Sequence, residues 1–223
     1  MDARYQRNIP ALTREECALL RTKRLLVVGC GGLGGHLIDL LVRVGIGAIR
    51  AVDGDVFEES NLNRQLLSEV PLLGVSKAKA AAQRVGRVNP EVEIEALECY
   101  LTEANAAELI AGCDVVLDGL DNIHSRRILA HACEKANVPY IFGAIQGWIA
   151  QAAISMPGDH LVENLYPEGT VVKDKSVLSF TPALCASMQA ALCVKYLVGR
   201  PVKSGTIYYF DLLNQEFETI PMA

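Results

Sequence analysis

The most constraining feature of this 223-residue chain is a glycine-rich turn set between a strand and a helix. Arg24-Leu-Leu-Val-Val-Gly reads as a strand buried on both faces, because it is an unbroken apolar run of strand length. Gly29-Cys-Gly-Gly-Leu-Gly-Gly follows at once, and His36-Leu-Ile-Asp-Leu-Leu-Val-Arg-Val-Gly then places apolar residues at helical spacing and stops at Gly45. Gly47-Ala-Ile-Arg-Ala-Val-Asp is a second strand. Strand, glycine turn, helix and strand within about thirty residues make a βαβ unit, which pairs its strands in parallel.

The alternation continues. Residues 76–88 form an alanine-rich helical segment ending near Asn89-Pro90, and Val92-Glu-Ile-Glu-Ala-Leu alternates as a strand does. A short helix over 103–111, a strand over 113–118, a helix over 123–136 and a strand over 138–144 follow. The sequence predicts a Rossmann-like α/β fold, a mostly parallel sheet with helices on both faces. Beyond Gly143 the pattern changes. A strand over 147–157 has no crossover helix, residues 159–181 show little periodicity and read as a long crossover loop, and 182–197 form a hydrophobic helix. Its apolar stripe is expected to be Leu184, Met188, Leu192, Tyr196 and Leu197. Thr206-Ile-Tyr-Tyr-Phe-Asp-Leu and Glu216-Phe-Glu-Thr-Ile flank Asn214 as a hairpin, so C-terminal antiparallel strands extend the sheet. Residues 1–22 are a helical lead-in, with a capping box at Thr13 and Glu16. The whole, 1–223, reads as one nucleotide-binding domain, with 144–223 as its C-terminal extension.

Composition narrows the function. Lys and Arg number 21 against 26 Asp and Glu, a net charge of -5, which argues against a general nucleic-acid binder. No run reaches the roughly 18 apolar residues of a membrane helix, and the N-terminus has no apolar signal core, so a cytoplasmic protein is expected. The seven cysteines are odd in number and form no Cys-x-x-Cys pair, which argues against a disulfide framework and against a structural zinc site.

Gly29-x-Gly31-x-x-Gly34 lets the backbone approach a phosphate, and the helix that it opens offers free N–H groups and a positive dipole end. Asp53, 19 residues after Gly34, ends the second strand, where an acid can bind ribose hydroxyls. A dinucleotide enzyme needs little more than this. Here, however, Asp55, Asn61, Arg64 and Gln65 crowd the next segment, and Lys77 opens a helix. Arg64 and Lys77 make a clamp for a triphosphate, whose departing pyrophosphate charge needs neutralising. Asp118, Asp121 and Asn122 lie at the carboxyl end of another strand, where ligands of open α/β sheets bind. Asp121 suits either Mg²⁺, which takes one or two carboxylates plus phosphate oxygens, or the cap of the following helix.

Arg4-Tyr-Gln-Arg-Asn-Ile, the glycine loop, Asp53-Gly-Asp, Ser60-Asn-Leu-Asn-Arg-Gln, Gly74-Val-Ser-Lys-Ala, Asn89-Pro and Leu117-Asp-Gly-Leu-Asp-Asn, in this order, resemble the ThiF/MoeB/HesA family, relatives of the ubiquitin-activating enzymes. The resemblance implies an adenylyltransferase that uses ATP and Mg²⁺ to adenylate the C-terminal glycine of a ubiquitin-like sulfur-carrier protein of the ThiS or MoaD type, for thiamine or molybdopterin-type biosynthesis. A sulfur-donor protein is a further partner that it implies. Asp53 matches the ribose-binding acid; Asn61, Arg64 and Lys77 match ATP contacts; Asp121 matches the magnesium-linked acid; and Arg7 matches an arginine that reaches the partner subunit's nucleotide across a homodimer. Many members carry two Cys-x-x-Cys pairs for zinc, and some a linking cysteine in the loop before the last helix. This chain has neither, and Cys185 falls in an apolar helix pattern that suits a buried thiol. Activation of another carboxylate, such as a modified tRNA base, and an NAD(P)-dependent oxidoreductase are the alternatives. Arg64, Lys77 and Asp121 speak against the second.

Overall fold

The computed structural model describes residues 3–172, 174 and 176–222. A short 3-10 helix at Ala3–Asn8 leads to α1 (Arg14–Leu20), β1 (Arg24–Val28), α2 (Gly32–Val44), β2 (Ala48–Val52), α3 (Lys77–Val88) and β3 (Glu93–Leu97). Then come α4 (Ala106–Ile110), β4 (Val115–Asp118), α5 (Ile123–Ala136), β5 (Tyr140–Gln146) and β6 (Ile149–Ser155). The chain closes with α6 (Leu161–Leu165), α7 (Phe180–Leu197), β7 (Thr206–Asp211) and β8 (Glu216–Pro221).

The strands form one sheet in the order β3-β2-β1-β4-β5-β6-β7-β8. The first five pair in parallel, and β5 through β8 pair antiparallel. This is the expected α/β arrangement with its antiparallel extension. Successive residues of β1 enter opposite cores: Leu25 and Val27 pack under the α2, α3 and α7 side, Leu26 and Val28 under the α4, α5 and α6 side. Leu25 through Val28 are all at most 2% exposed, which at about 1.5–3 kcal/mol per buried large aliphatic side chain explains why so short a segment anchors the sheet.

Boundaries moved where local signals compete with packing. The glycine loop does not precede the helix; α2 starts inside it, at Gly32. In the lead-in, Thr13 and Glu16 form the expected capping box, but α1 is only seven residues and the segment before it is 3-10; Met1 and Asp2 lie outside the described residues. The expected structureless stretch 159–181 is broken by α6, whose Leu161 and Val162 are buried in the second core. Five residues are too few for helical periodicity to register. Lys173 and Lys175 of that stretch lie outside the described residues. On α7 the most buried stripe is Cys185, Ala186, Gln189 and Cys193. Leu192 and Leu197 share that buried face, while Leu184, Met188 and Tyr196 pack at its margin. Small residues win the centre because α7 lies close on β5, β6 and α2.

Candidate active site

The strand order reverses between β1 and β4, and the loops that leave their carboxyl ends touch there. Gly29, at φ +91, takes a left-handed conformation and donates its N–H to Val52 O at 2.7 Å, tying the loop to β2. A Cβ on Gly34 would lie 1.6 Å from Gly29 O, and one on Gly119, just after β4, 2.6 Å from the same oxygen. Three glycines thus let two loops and a helix meet backbone to backbone. Gly31 is the N-cap of α2 and no side chain caps it, so the helix N–H groups are open to an anion.

Asp53 is built into this loop. Its Oδ2 accepts the Cys30 N–H at 2.7 Å and its Oδ1 accepts the Asp55 N–H at 2.8 Å. Burial pushes its carboxyl above the usual range, against the pull of those N–H groups and of Lys77. Asp55 accepts from Lys77 Nζ at 3.1 Å, and Lys77, the first residue of α3, is buried. The Tyr100 hydroxyl, bonded to Asp55, and Lys77 hold the Asp55 carboxyl below its usual range.

The segment after β2 curls through a 3-10 turn at Glu59–Asn61. Asn61 is buried and its Oδ1 accepts the Glu58 N–H at 3.1 Å. Arg64 is half-buried and aimed by its Nη1, which donates to Ser60 O and Asn63 Oδ1, both at 2.8 Å. Beside it, Gln65 is buried against Gly31, its amide nitrogen 3.4 Å from where a Gly31 Cβ would stand, and its Oε1 has no hydrogen-bond partner among the described residues. A buried orphan acceptor carries a free-energy cost, so an unpaired amide beside an open helix N-terminus suits a bound nucleotide.

Asp121 and Asn122 are exposed at the start of α5. Of the two, Asn122 caps the helix, its Oδ1 accepting the Ser125 N–H at 2.9 Å; its Nδ2 donates to Asp121 Oδ1 at 3.3 Å. Helix capping therefore does not explain Asp121. Behind the site, Asp118 is buried, accepts the Tyr140 hydroxyl at 2.5 Å and lies 3.2 Å from Arg126 Nε. Arg126 in turn donates to Leu120 O and Gly143 O at 2.7 and 2.8 Å, bracing the Asp121 loop against β5. Gln189 of α7 donates to Asp118 O at 2.8 Å.

The structure therefore gathers Gly29, Gly31, Gly34, Asp53, Asp55, Asn61, Arg64, Lys77, Asp121 and Asn122 around the carboxyl ends of β1, β2 and β4. It does not bring Arg7 to them. Tyr5 of the same 3-10 helix packs on Gly45 and accepts from the fully buried Asn89 at 2.6 Å; Asn8 donates to Val44 O at 3.0 Å. That anchorage is at the carboxyl end of α2, and 13 residues of helix span about 20 Å. Arg7 is exposed there. Sequence reasoning missed Gly119 and Tyr100 as parts of the site. The glycine after the β4 acid was a usable signal; nothing local marks Tyr100. Cys185 is fully buried, its thiol pushed up to about 12 chiefly by burial, as the helix pattern led one to expect.

Residues 5–223 match the ThiF family. The chain belongs to the ThiF family. It is 35% identical over 227 residues to the SAMP-activating enzyme E1 of Haloferax volcanii, covering 98% of this chain and 84% of that protein. It is 34% identical over 232 residues to the probable adenylyltransferase/sulfurtransferase MoeZ of Mycobacterium tuberculosis, covering 98% of this chain but only 59% of that longer protein. The crystal structure of E. coli MccB with ATP superposes with a TM-score of 0.83 at 20% identity over 100% of this chain and 72% of that one, a likeness of fold. This ThiF-family chain is an adenylyltransferase-type enzyme, the activity that its relatives' names carry, and adenylyl transfer draws on ATP.

Proposed function

We propose that this ThiF-family chain adenylates the C-terminal glycine of a ubiquitin-like sulfur-carrier protein. One observation carries the reading: the ribose-type acid Asp53 accepts from the Cys30 N–H of the uncapped glycine loop and, through the Asp55 N–H on its other oxygen, is linked to the buried Lys77, while the Asn61–Arg64 turn leads into Gln65 beside Gly31, more cation and amide than a dinucleotide requires. The carrier carboxylate attacks the α-phosphorus of ATP, an acyl-phosphate bond forms, and the bond to pyrophosphate breaks. A carboxylate is already a nucleophile, so no general base is needed; positioning and charge stabilisation suffice.

Asp53 holds the ribose, and the α2 N-terminus with Gly29, Gly31 and Gly34 cradles the phosphates. Asn61, Arg64 and Lys77 neutralise the departing pyrophosphate. Asp121, whose Oδ1 accepts from Asn122 Nδ2, would hold a Mg²⁺ ion that comes with the nucleotide, and the ion would add positive charge at the phosphates. Among the described residues no cluster of three or more His, Cys, Asp or Glu could hold a metal by itself. Arg7 acts on the partner subunit's site in a homodimer, since its own site lies a helix length away. We read 1–223 as one adenylation domain without structural zinc, working in the cytoplasm; among the described residues no helix is long and apolar enough to cross a membrane.

The test is ATP–pyrophosphate exchange with purified chain, Mg²⁺ and each ubiquitin-like carrier encoded in the same genome. One carrier is expected to trigger exchange. Arg64→Ala is expected to lower it about 100- to 1000-fold, the size of a lost transition-state charge contact. Tight NAD binding without ATP binding, measured by calorimetry, overturns the reading.

A further inference from the structure

The loop after β3 brings an aromatic residue to the site that no role above uses. Tyr100 is 65% exposed, yet its ring lies on Gly54: a Cβ there would stand 2.8 Å from each of three ring atoms. Only glycine between the two acids of Asp53-Gly-Asp leaves room for that ring. The phenol donates to Asp55 Oδ1 at 2.7 Å. The other oxygen of the same carboxylate accepts from Lys77 Nζ at 3.1 Å. The backbone of Tyr100 is fixed in turn, its carbonyl accepting from Asn105 Nδ2 at 2.9 Å.

These contacts form a chain from an exposed phenol to a buried ammonium. The Lys77 side chain is 9% exposed and that of Asp55 is 51% exposed. Left alone, a half-exposed carboxylate turns into water and its ion pair contributes little. Held at one oxygen by Tyr100, it presents the other at a fixed place, and Lys77 is held there.

We propose that Tyr100 is a positioning residue of the nucleotide site: through Asp55 it sets where the Lys77 ammonium stands for the outer phosphates. This rests on the reading of Lys77 as a phosphate ligand. Tyr100 itself has no part in holding the base or the ribose, and that separates the proposal from a simple stacking wall.

Calorimetry of a non-hydrolysable ATP analogue with Mg²⁺, and of AMP, on wild type, Tyr100→Phe, Asp55→Asn and the double variant tests it. Phe keeps the ring on Gly54, so the melting temperature serves as the check that the site stays folded. Tyr100→Phe is expected to weaken the ATP analogue about fivefold, the scale of one hydrogen bond to a charge at a part-exposed site, and to leave AMP binding unchanged, because AMP has no outer phosphates. The double variant is expected to bind the analogue no worse than Asp55→Asn alone, since both changes break one chain of contacts. Equal analogue binding by Tyr100→Phe and wild type, additive losses in the double variant, or a parallel loss of AMP binding overturns the proposal. A wild-type chain that binds the analogue but shows no carrier-dependent exchange removes only the carrier reading. One that binds no analogue overturns both.

Discussion

β1 and β8 belong to one sheet and meet opposite fates. Leu25 through Val28 of β1 are sealed between two helical layers, whereas all six residues of β8 are exposed and, among the described residues, no strand pairs with its outer edge. The difference follows from connectivity. Parallel strands need crossovers, and the crossovers here are helices that cover both faces and whose connecting loops emerge at the same carboxyl ends. The chemistry collects there. The antiparallel half turns tightly from β5 to β6 and from β7 to β8, returns from β6 to β7 through α6 and α7, and leaves Tyr208, Phe210 and Phe217 stacked on a partly open face. Burial makes the parallel half, and β6 beneath α7, intolerant; the β8 end tolerates change because little is packed over it.

Four substitutions, in three experiments, probe this contrast. The largest effect is expected for Gly34→Ala. The new Cβ would meet backbone oxygen at 1.6 Å, and no side chain can swing away to relieve it. A loss of stability at or above the usual overpacking range of about 1–3 kcal/mol and loss of nucleotide binding are expected, read by thermal melting and calorimetry. Wild-type behaviour of this variant would break the claim that the loops meet backbone to backbone.

Next is a mixing experiment. Arg7→Ala and Asp121→Ala chains are each expected to be inactive in carrier-dependent exchange. Mixed and allowed to exchange subunits, they are expected to regain up to roughly a quarter of wild-type activity, because each heterodimer rebuilds one intact site. No recovery despite demonstrated subunit exchange means that Arg7 acts within its own subunit or not at all.

The smallest effect is expected for Phe217→Ser. The side chain is 57% exposed, so only its stacking on Phe210 and Tyr208 is lost, about 1 kcal/mol or less. ATP affinity is expected to stay at the wild-type value. A fall in ATP affinity would show that the two halves are coupled more tightly than the packing indicates.

How far the molecule was legible beforehand varies in the same way. The helix over Ile123–Ala136 was read to the residue, because capping by Asn122 and an αL stop at Asn137 are local events. The strand over 138–144 began two residues late, at Tyr140, since its start is set by pairing with β4. The α6 turn went unread because its reason for being helical is the distant core that takes Leu161 and Val162.

By itself the sequence determined the glycine loop, the acid that ends β2, the cluster from Asp55 to Lys77 and the parallel character of the sheet. Each depends on residues close in the chain: a glycine that permits a left-handed turn, a polar group at a strand end, an apolar run of one strand's length. Only the tertiary structure decided that Gly119 meets Gly29, that Gln65 Oε1 is buried without a partner among the described residues, that Tyr100 reaches Lys77 through Asp55, and that Arg7 is anchored away from its own site. Those contacts join separate loops, and their geometry comes from the order of the strands and the length of α2, which no local pattern encodes.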